Sequence, residues 1–202
     1  MTKSKSEITA EKILTAAFKC IAAKGCNSVT LREIAQEAGV VLSQLNYYFV
    51  NKEGLFSAVI KAMQQTYTDG LDLRMKKCVS FAERITALAS YNEELLRDNT
   101  ALYQSFLEFF NYAMWSEPFK AEMAGFVSDI LTAINKQVVR NGEEDSNSPQ
   151  PSSFPPEVIT RLILAASFGL SIQYLLAPAD TRILPGFDAM KAIIERAERN
   201  NS

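Results

Sequence analysis

Apolar side chains recur every three or four positions along most of this chain of 202 residues, the spacing that places them on one face of an α-helix. Residues 8–24 show the pattern first, and Gly25 follows at the point where a helix would end. The apolar positions of this first predicted helix are Ile13, Leu14, Ala17, Phe18 and Ile21. No β-strand signal is present, so the pattern predicts an all-α fold.

The same spacing predicts six further helices after residue 50, with capping or breaking residues between them. Ser80 and Glu83 stand at capping-box spacing, Pro118 suits the first turn of a helix, and Pro178 ends one. The predicted helices cover residues 52–67 or beyond, 80–97, 101–115, 116–140, 157–177 and 187–199. Residues 141–156 are rich in acidic residues, Ser and Pro, and are predicted to form a flexible loop.

Residues 30–55 predict two short helices joined by a tight turn. Thr30 and Glu33 have capping-box spacing, and Gly39 stands where a helix often ends in a residue with positive φ. Leu45 and Phe49 lie four positions apart and therefore share the inward face of the second helix. This arrangement predicts a helix-turn-helix.

Polar residues occupy the other faces of that second helix. Ser43, Gln44, Asn46 and Tyr47 point away from the apolar face and end in hydrogen-bonding groups. The major groove of B-DNA admits one α-helix, and each base pair presents a different pattern of donors and acceptors there. We therefore predict that these four residues, together with Arg32 from the first helix, contact base edges. An ordinary solvated helix face is the alternative.

Lys52 lies at the start of the next predicted helix, which Asn51 is placed to cap. A lysine beside the free amides of a helix N-terminus is well placed to meet a phosphate of the DNA backbone. We therefore predict a phosphate contact at Lys52.

Several of these segments share their residues and spacing with one known family. The matching positions are Ile13, Leu14, Ala16–Phe18, Gly25, Thr30–Ala35, Ala38–Val40, Leu45–Phe49 and Lys52–Leu55. They resemble the N-terminal domain of the tetracycline-repressor (TetR) family over about a quarter of the chain. Val41 departs from the usual Ser cap, and Asn46 from the usual Tyr directed at DNA. The resemblance implies that Thr30, Tyr48 and Lys52 contact phosphates, with a place in the core as the alternative for Tyr48.

The family resemblance also implies two domains and a homodimer. We expect a helix-turn-helix DNA-binding domain at residues 8–66 and a helical ligand-binding and dimerisation domain at residues 67–202. In the family the last two long helices pair with their copies as a four-helix bundle, and small residues in 157–177 would let helices approach closely. The predicted interface residues are Leu162, Ala166, Gly169, Ile172, Ile193 and Ile194. The alternative is that these residues are core of one chain.

The most aromatic segment of the chain, residues 101–115, has large side chains around most of a helix's circumference. If the resemblance extends this far, the segment lines a cavity for an apolar or amphipathic ligand. The candidate pocket residues are Tyr103, Gln104, Phe106, Glu108, Phe110, Asn111 and Trp115. Packed core remains the competing interpretation, since aromatic residues at helical spacing are commonly core.

Charge and composition limit the chemistry of the chain. The net charge is −2, but residues 1–61 hold eight Lys and Arg against five Asp and Glu, which suits a DNA-binding region. The chain has no His, no glycine-rich phosphate loop and no acidic residues at metal-binding spacing, so we expect no enzymatic activity, cofactor or metal.

Its three Cys lack CxxC spacing, so we expect buried or incidental thiols, with redox sensing as the alternative. No apolar run is long and uninterrupted enough to span a bilayer, so we expect a cytoplasmic protein without a membrane partner.

Together these features predict a ligand-responsive transcriptional regulator. We expect a repressor that binds a palindromic operator in double-stranded DNA as a dimer and is released by a small-molecule inducer. The alternative is a helical small-molecule-binding module without DNA-binding activity.

Overall fold

The computed structural model of the protein describes residues 4–139 and 155–199. Within these ranges it contains nine helices and no strand, which confirms the all-α class. The helices are α1 (Lys5–Lys24), α2 (Leu31–Glu37), α3 (Leu42–Tyr48), α4 (Lys52–Met75), α5 (Phe81–Asp98), α6 (Thr100–Trp115), α7 (Glu117–Val139), α8 (Pro156–Leu176) and α9 (Pro185–Arg199). Most of the loop predicted at residues 141–156 lies outside the described residues.

Three of the helices begin at capping boxes. The Thr30 hydroxyl accepts from the Glu33 amide at 3.2 Å, and the Glu33 carboxylate accepts from the Thr30 amide at 2.9 Å. Ser80 and Glu83 form the same pair at the start of α5, as the sequence predicted. The predicted start of α1, residue 8, lies three residues after the observed start at Lys5. Ser4 and Glu7 cap a first turn in which apolar residues do not recur at helical spacing.

The described residues form two compact units. Unit 1 contains the described residues up to Gln65 together with Gln104–Phe126, and unit 2 contains Thr66–Tyr103 and the described residues from Val127 on. The first unit therefore includes parts of α6 and α7 in addition to the segment that the sequence assigned to the first domain. The boundary between residues 66 and 67 stays a prediction.

Phe56 is the centre of the aromatic packing in unit 1. Its fully buried ring lies 5.7 Å from the ring of Phe109, 5.5 Å from Tyr112 and 6.2 Å from Phe119, all in edge-to-face geometry. Such pairs stabilise by about 0.5–1.5 kcal/mol each beyond the area they bury. The start of α4, which follows the helix-turn-helix, is thus held by residues of α6 and α7.

Unit 2 has a separate core, in which α5 packs against α8 and α9. Leu96, Tyr103 and Phe187 are buried at its centre, with Phe168 among the partly buried side chains around them. Gly186 permits a close approach of α9 to α8, since a Cβ there would lie 2.6 Å from a methyl group of Leu170. This close approach sets the geometry of the surface that α8 and α9 form together.

Helix α8 corrects the expectation that no apolar segment is long enough to span a bilayer. It has 21 residues, and an 18-residue window within it has a mean hydropathy of 1.5. Only 22% of that window is buried, so most of its apolar surface faces outward in the described chain. By length and composition alone the helix could cross a membrane, a test that core helices of soluble proteins also pass.

The N-terminus of α3 offers a direct test of helix capping in this fold. Val41 occupies the N-cap position and makes no side-chain hydrogen bond there. We predict that Val41→Ser raises the free energy of unfolding by about 1 kcal/mol, because a Ser hydroxyl can accept from the free amides of the first turn. Thermal or urea unfolding measures the change. Val41→Ala is the control, and equal stability of the two variants would contradict the capping explanation.

Candidate functional site

Helices α2 and α3 are held at a fixed angle by a tight turn and a buried anchor. Gly39 has φ +67°, and the Val40 amide donates to the Ala35 carbonyl at 3.0 Å. Leu45 is fully buried, as are Ile34 on α2 and Ile21 on α1. One face of α3 therefore packs on the core of unit 1, and its other faces are exposed to solvent.

The predicted base-contacting residues all lie on that outside surface. Ser43, Gln44, Asn46 and Tyr47 on α3 are exposed, with Tyr47 at 82%, and Arg32 on α2 is exposed as well. Hydroxyl, amide and guanidinium groups are the groups that hydrogen bond to base edges in the major groove. The structure thus brings together a short exposed helix with polar side chains, which is the geometry of a recognition helix.

The three residues predicted to contact phosphates already make different contacts within the chain. Thr30 is exposed, but its hydroxyl serves in the capping box with Glu33. Tyr48 is half-buried, and its hydroxyl accepts from Ser6 at 3.2 Å. Lys52 is half-buried at the start of α4, with its ammonium group 5.5 Å from the centre of the Phe56 ring. This cation–π contact holds the charge at the first turn of α4.

An ion pair reinforces the start of α2. The Lys24 ammonium lies 2.7 Å from the Glu33 carboxylate, and this contact, followed by the bonds to Thr30, lowers the pKa of Glu33 to about 2. A lowered pKa stabilises the fold above the ordinary pKa of the group, and that contribution is lost as the pH falls towards 2. The cap of α2 therefore stays ionised throughout the neutral range.

Glu108 on α6 was predicted as a pocket residue, and the structure places its carboxylate on the loop between α1 and α2. Oε2 of Glu108 accepts from the Cys26 amide at 3.1 Å. Gly25 has φ +79°, and a Cβ there would lie 2.5 Å from the same oxygen. The loop thus needs glycine both for its backbone conformation and for the approach of Glu108. Nothing in the sequence indicates this contact, because the two residues are 82 positions apart.

Two further polar contacts join α4 to α6 and α7 inside unit 1. The Tyr112 hydroxyl donates to the Glu53 carboxylate at 3.0 Å, and Ser57 donates to the carboxylate of Glu122. Together with the Phe56 cluster, they fix the first turns of α4 against α6 and α7. These first turns follow α3 directly, so the contacts also limit how α3 can be displaced.

The other predicted pocket residues lie along α6 in different surroundings. Tyr103 is buried and hydrogen bonds to Asn92, while Phe106 is half-buried and its ring lies 5.6 Å from that of Phe126. Phe110 is half-buried. Gln104, Asn111 and Trp115 are exposed, Trp115 at 85%. The assignment of these residues to one pocket stays a prediction.

The three thiols are free. Cys26 is fully buried, and burial, followed by the nearby charge of Glu108, raises the pKa of its thiol to about 12. A thiol that stays protonated is a poor nucleophile and a poor metal ligand. Among the described residues no group of three or more His, Cys, Asp or Glu is arranged to hold a metal ion.

The outward side of α8 and α9 forms an apolar groove of about 610 Å³. Leu162 is 64% exposed and Ile193 70% exposed, and both line it. Of the predicted interface residues, Ala166 and Gly169 also line the groove, whereas Ile172 is half-buried outside the lining and the side chain of Ile194 lies outside the described part. An apolar groove with exposed leucine and isoleucine is typical of a protein interface.

Comparisons with known proteins match this chain to transcriptional regulators. Residues 13–59 match the sequence model of the family described as bacterial regulatory proteins, tetR family. The HTH-type transcriptional regulator BetI of Rhizobium meliloti (strain 1021) is 31% identical over 107 residues, 52% of this chain and 52% of that protein. BetI of Brucella abortus (strain 2308) is 27% identical over 109 residues, 54% of this chain and 55% of that protein. The chain spans about half the length of the curated relatives it matches.

The solved structures that resemble the chain cover nearly all of it. The transcriptional regulator FadR from Bacillus subtilis, solved in complex with stearoyl-CoA, superposes with a TM-score of 0.76 at 16% identity, covering 91% of this chain and 96% of that one. At this identity the likeness shows a shared fold. The prediction that the chain is not an enzyme agrees with these matches, which are regulators.

The contact between Glu108 and Cys26 can be tested by hydrogen exchange. We predict that Glu108→Ala accelerates exchange of the Cys26 amide and lowers the free energy of unfolding by about 2 kcal/mol, since a charged acceptor is lost. Nuclear magnetic resonance resolves the exchange rate at that amide. Glu108→Gln keeps an acceptor oxygen and should show a smaller effect. Unchanged exchange in Glu108→Ala would show that the contact does not form.

Proposed function

We propose that this chain, whose residues 13–59 match the tetR family of bacterial regulatory proteins, is a sequence-specific, ligand-responsive transcriptional regulator. It acts as a repressor in the cytoplasm. The observation that carries the proposal is the exposed polar face of α3, which is fixed to the core through Leu45. The family match includes the whole of this helix. A helical binding module without DNA-binding activity would not account for that match.

In the proposed complex, α3 lies in the major groove. Ser43, Gln44, Asn46 and Tyr47, joined by Arg32, contact base edges and give sequence preference. Thr30, Tyr48 and Lys52 contact phosphates and fix the orientation of α3. The amide and the hydroxyl of Thr30 both take part in the capping box with Glu33, so Lys52 provides the main charge of the set.

The proposed assembly is a homodimer formed through α8 and α9. One recognition helix makes few base contacts, and two copies related by two-fold symmetry match a palindromic operator. The exposed apolar surface of α8 supports this, since a second copy of the groove would cover it. Water contact with that surface is costly, at roughly 25 cal/mol per Å² of apolar area.

The proposed switch is a small molecule that changes the positions of α4 and α6. Both helices contribute residues to the two units, so a ligand that shifts either helix in unit 2 also shifts its continuation in unit 1. There, α6 holds the loop before α2 through Glu108 and packs on the start of α4 through Tyr112. Such a molecule releases DNA only if it binds the non-binding arrangement more tightly. Stearoyl-CoA is bound by the FadR protein, and for this chain we propose an apolar or amphipathic ligand.

DNA-binding measurements on two variants distinguish phosphate contacts from base contacts. We predict that Lys52→Ala weakens binding to all duplexes and reduces the slope of log affinity against log salt by about 1, because one phosphate contact is lost. Gln44→Ala should instead reduce the preference for the operator by about 1–3 kcal/mol at the affected base pair. Fluorescence anisotropy with the DNA flanking the gene, against random duplex, measures both. Operator affinity equal to the parent in both variants would refute the assignment.

The dimer can be tested with two leucines of similar exposure. Leu162 on α8 is 64% exposed and Leu73 on α4 is 66% exposed. We predict that Leu162→Glu makes the protein monomeric and weakens operator binding at least tenfold, since a buried, unpaired carboxylate opposes association. Leu73→Glu should remain dimeric. Sedimentation velocity gives the oligomeric state, and a dimeric Leu162→Glu would exclude this interface.

A further inference from the structure

Val41 at the start of α3 is an exposed apolar residue in a position that favours a polar one. It is the N-cap of α3, its side chain is 65% exposed, and it makes no side-chain hydrogen bond to the helix. Ser, Thr, Asp and Asn stabilise such a position, because their side chains accept from the free amides of the first turn. Valine therefore leaves the first turn of α3 without a side-chain acceptor and exposes apolar carbon to water.

Three other helices that begin in unit 1 have side-chain caps. Ser4 caps α1, and Thr30 caps α2. At the start of α4, the Asn51 side chain accepts from the Gly54 amide at 2.8 Å. Helix α3 has seven residues, the same length as α2, so a cap would stabilise it as much as the cap of α2 does. Helix stability therefore does not explain a valine at position 41.

Val41 lies at the end of α3 from which a recognition helix contacts DNA bases. In a helix-turn-helix, the N-terminal residues of the second helix reach base edges in the major groove. The Val41 carbonyl accepts from the Gln44 amide at 3.0 Å, so Val41 lies one turn before a predicted base contact. Ser43 and Gln44, the predicted base contacts of this first turn, are both exposed. A valine at this end of α3 is therefore placed to meet a base edge.

The major groove offers an apolar side chain one type of partner. Base edges there carry hydrogen-bond donors and acceptors, and the C5-methyl group of thymine is the apolar group among them. Contact between that methyl group and the γ-methyl groups of Val41 removes apolar surface of both from water. A polar base edge in the same place would lose water without gaining a hydrogen bond from valine. Valine thus favours thymine by attraction and disfavours the other bases by their desolvation.

A second exposed valine, Val50, shows that exposure by itself does not assign such a contact. Its side chain is 92% exposed, but it lies beyond the C-terminal end of α3 at Tyr48. Single exposed apolar residues are common on protein surfaces. Val41 differs from Val50 because it occupies the N-cap, directly before the first turn of α3. Val50 therefore provides a control of the same residue type in the same helix-turn-helix.

We propose that Val41 is a specificity-determining residue of the DNA interface, and that it recognises the C5-methyl group of a thymine in each operator half-site. This assignment rests on the proposed function, since it requires α3 to lie in the major groove. It adds a preference that the hydrogen-bonding side chains of α3 do not impose, because uracil presents the same donors and acceptors as thymine. The missing cap of α3 is then the cost in stability of a base contact.

Replacement of thymine by deoxyuridine tests the contact, because it removes the methyl group and keeps the hydrogen-bonding groups of the base pair. The operator is selected from random duplexes with the parent protein, each thymine is then replaced in turn, and affinity is measured by fluorescence anisotropy. We expect the parent to lose about fourfold in affinity per half-site at one thymine position, the effect of one buried methyl group. Val41→Ser should bind thymine and deoxyuridine equally at that position. Val41→Ile, which keeps a branched apolar side chain, should retain the preference.

Val50→Ser is the matched control, since it makes the same change beyond the other end of α3 and should keep the full preference for thymine. Thermal unfolding checks that each variant is folded, and Val41→Ser should be at least as stable as the parent. The proposal is overturned if the operator contains no thymine, if deoxyuridine costs Val41→Ser as much as the parent at every thymine, or if Val50→Ser also loses the preference. Those results leave the proposed regulator standing, whereas a parent that selects no operator would refute the regulator itself.

Discussion

The burial of one face of α3 is the constraint on which the candidate interface depends. A helix of seven residues without a side-chain cap is too short to be stable by itself in water. Its conformation therefore comes from tertiary packing, with Leu45 inserted beside the core of α1 and α2. Because that packing fixes the rotation of α3, it also decides which side chains remain outside. The polar residues available to DNA are a consequence of where Leu45 lies.

The same unit connects this surface to helices far along the chain. Glu108 holds the loop before α2, and the aromatic cluster around Phe56 holds the start of α4. A charged hydrogen bond is directional, whereas ring packing tolerates small shifts without losing its energy. A displacement of α6 would therefore first weaken the hydrogen bond between Glu108 and the Cys26 amide. This difference gives the proposed switch a physical route to the DNA-binding helices.

Helix α8 carries opposite properties on its two sides. Its outer side is apolar and forms a groove with α9, which suits a second copy of the chain. Its inner side combines the buried hydroxyl groups of Ser167 and Ser171 with apolar side chains such as Phe168, which packs on the core of unit 2. A ligand on the inner side and a partner on the outer side would act on one rigid element. Ligand binding and dimer geometry can in this way be coupled without a long path between them.

The sequence by itself determined the helices and the helix-turn-helix, because apolar period, capping boxes and turn residues are local. Thr30 with Glu33 and Ser80 with Glu83 act where their spacing predicted, and the exposed residues of α3 follow from the buried position of Leu45. Only the tertiary structure decided the contact of Glu108 with Cys26 and the convergence of Asn92, Tyr67 and Tyr103. It also decided which side of α8 meets the core, since hydropathy gives the length of an apolar helix but not the side that is buried. Such contacts join residues far apart in the chain, and no local pattern encodes which side chains meet.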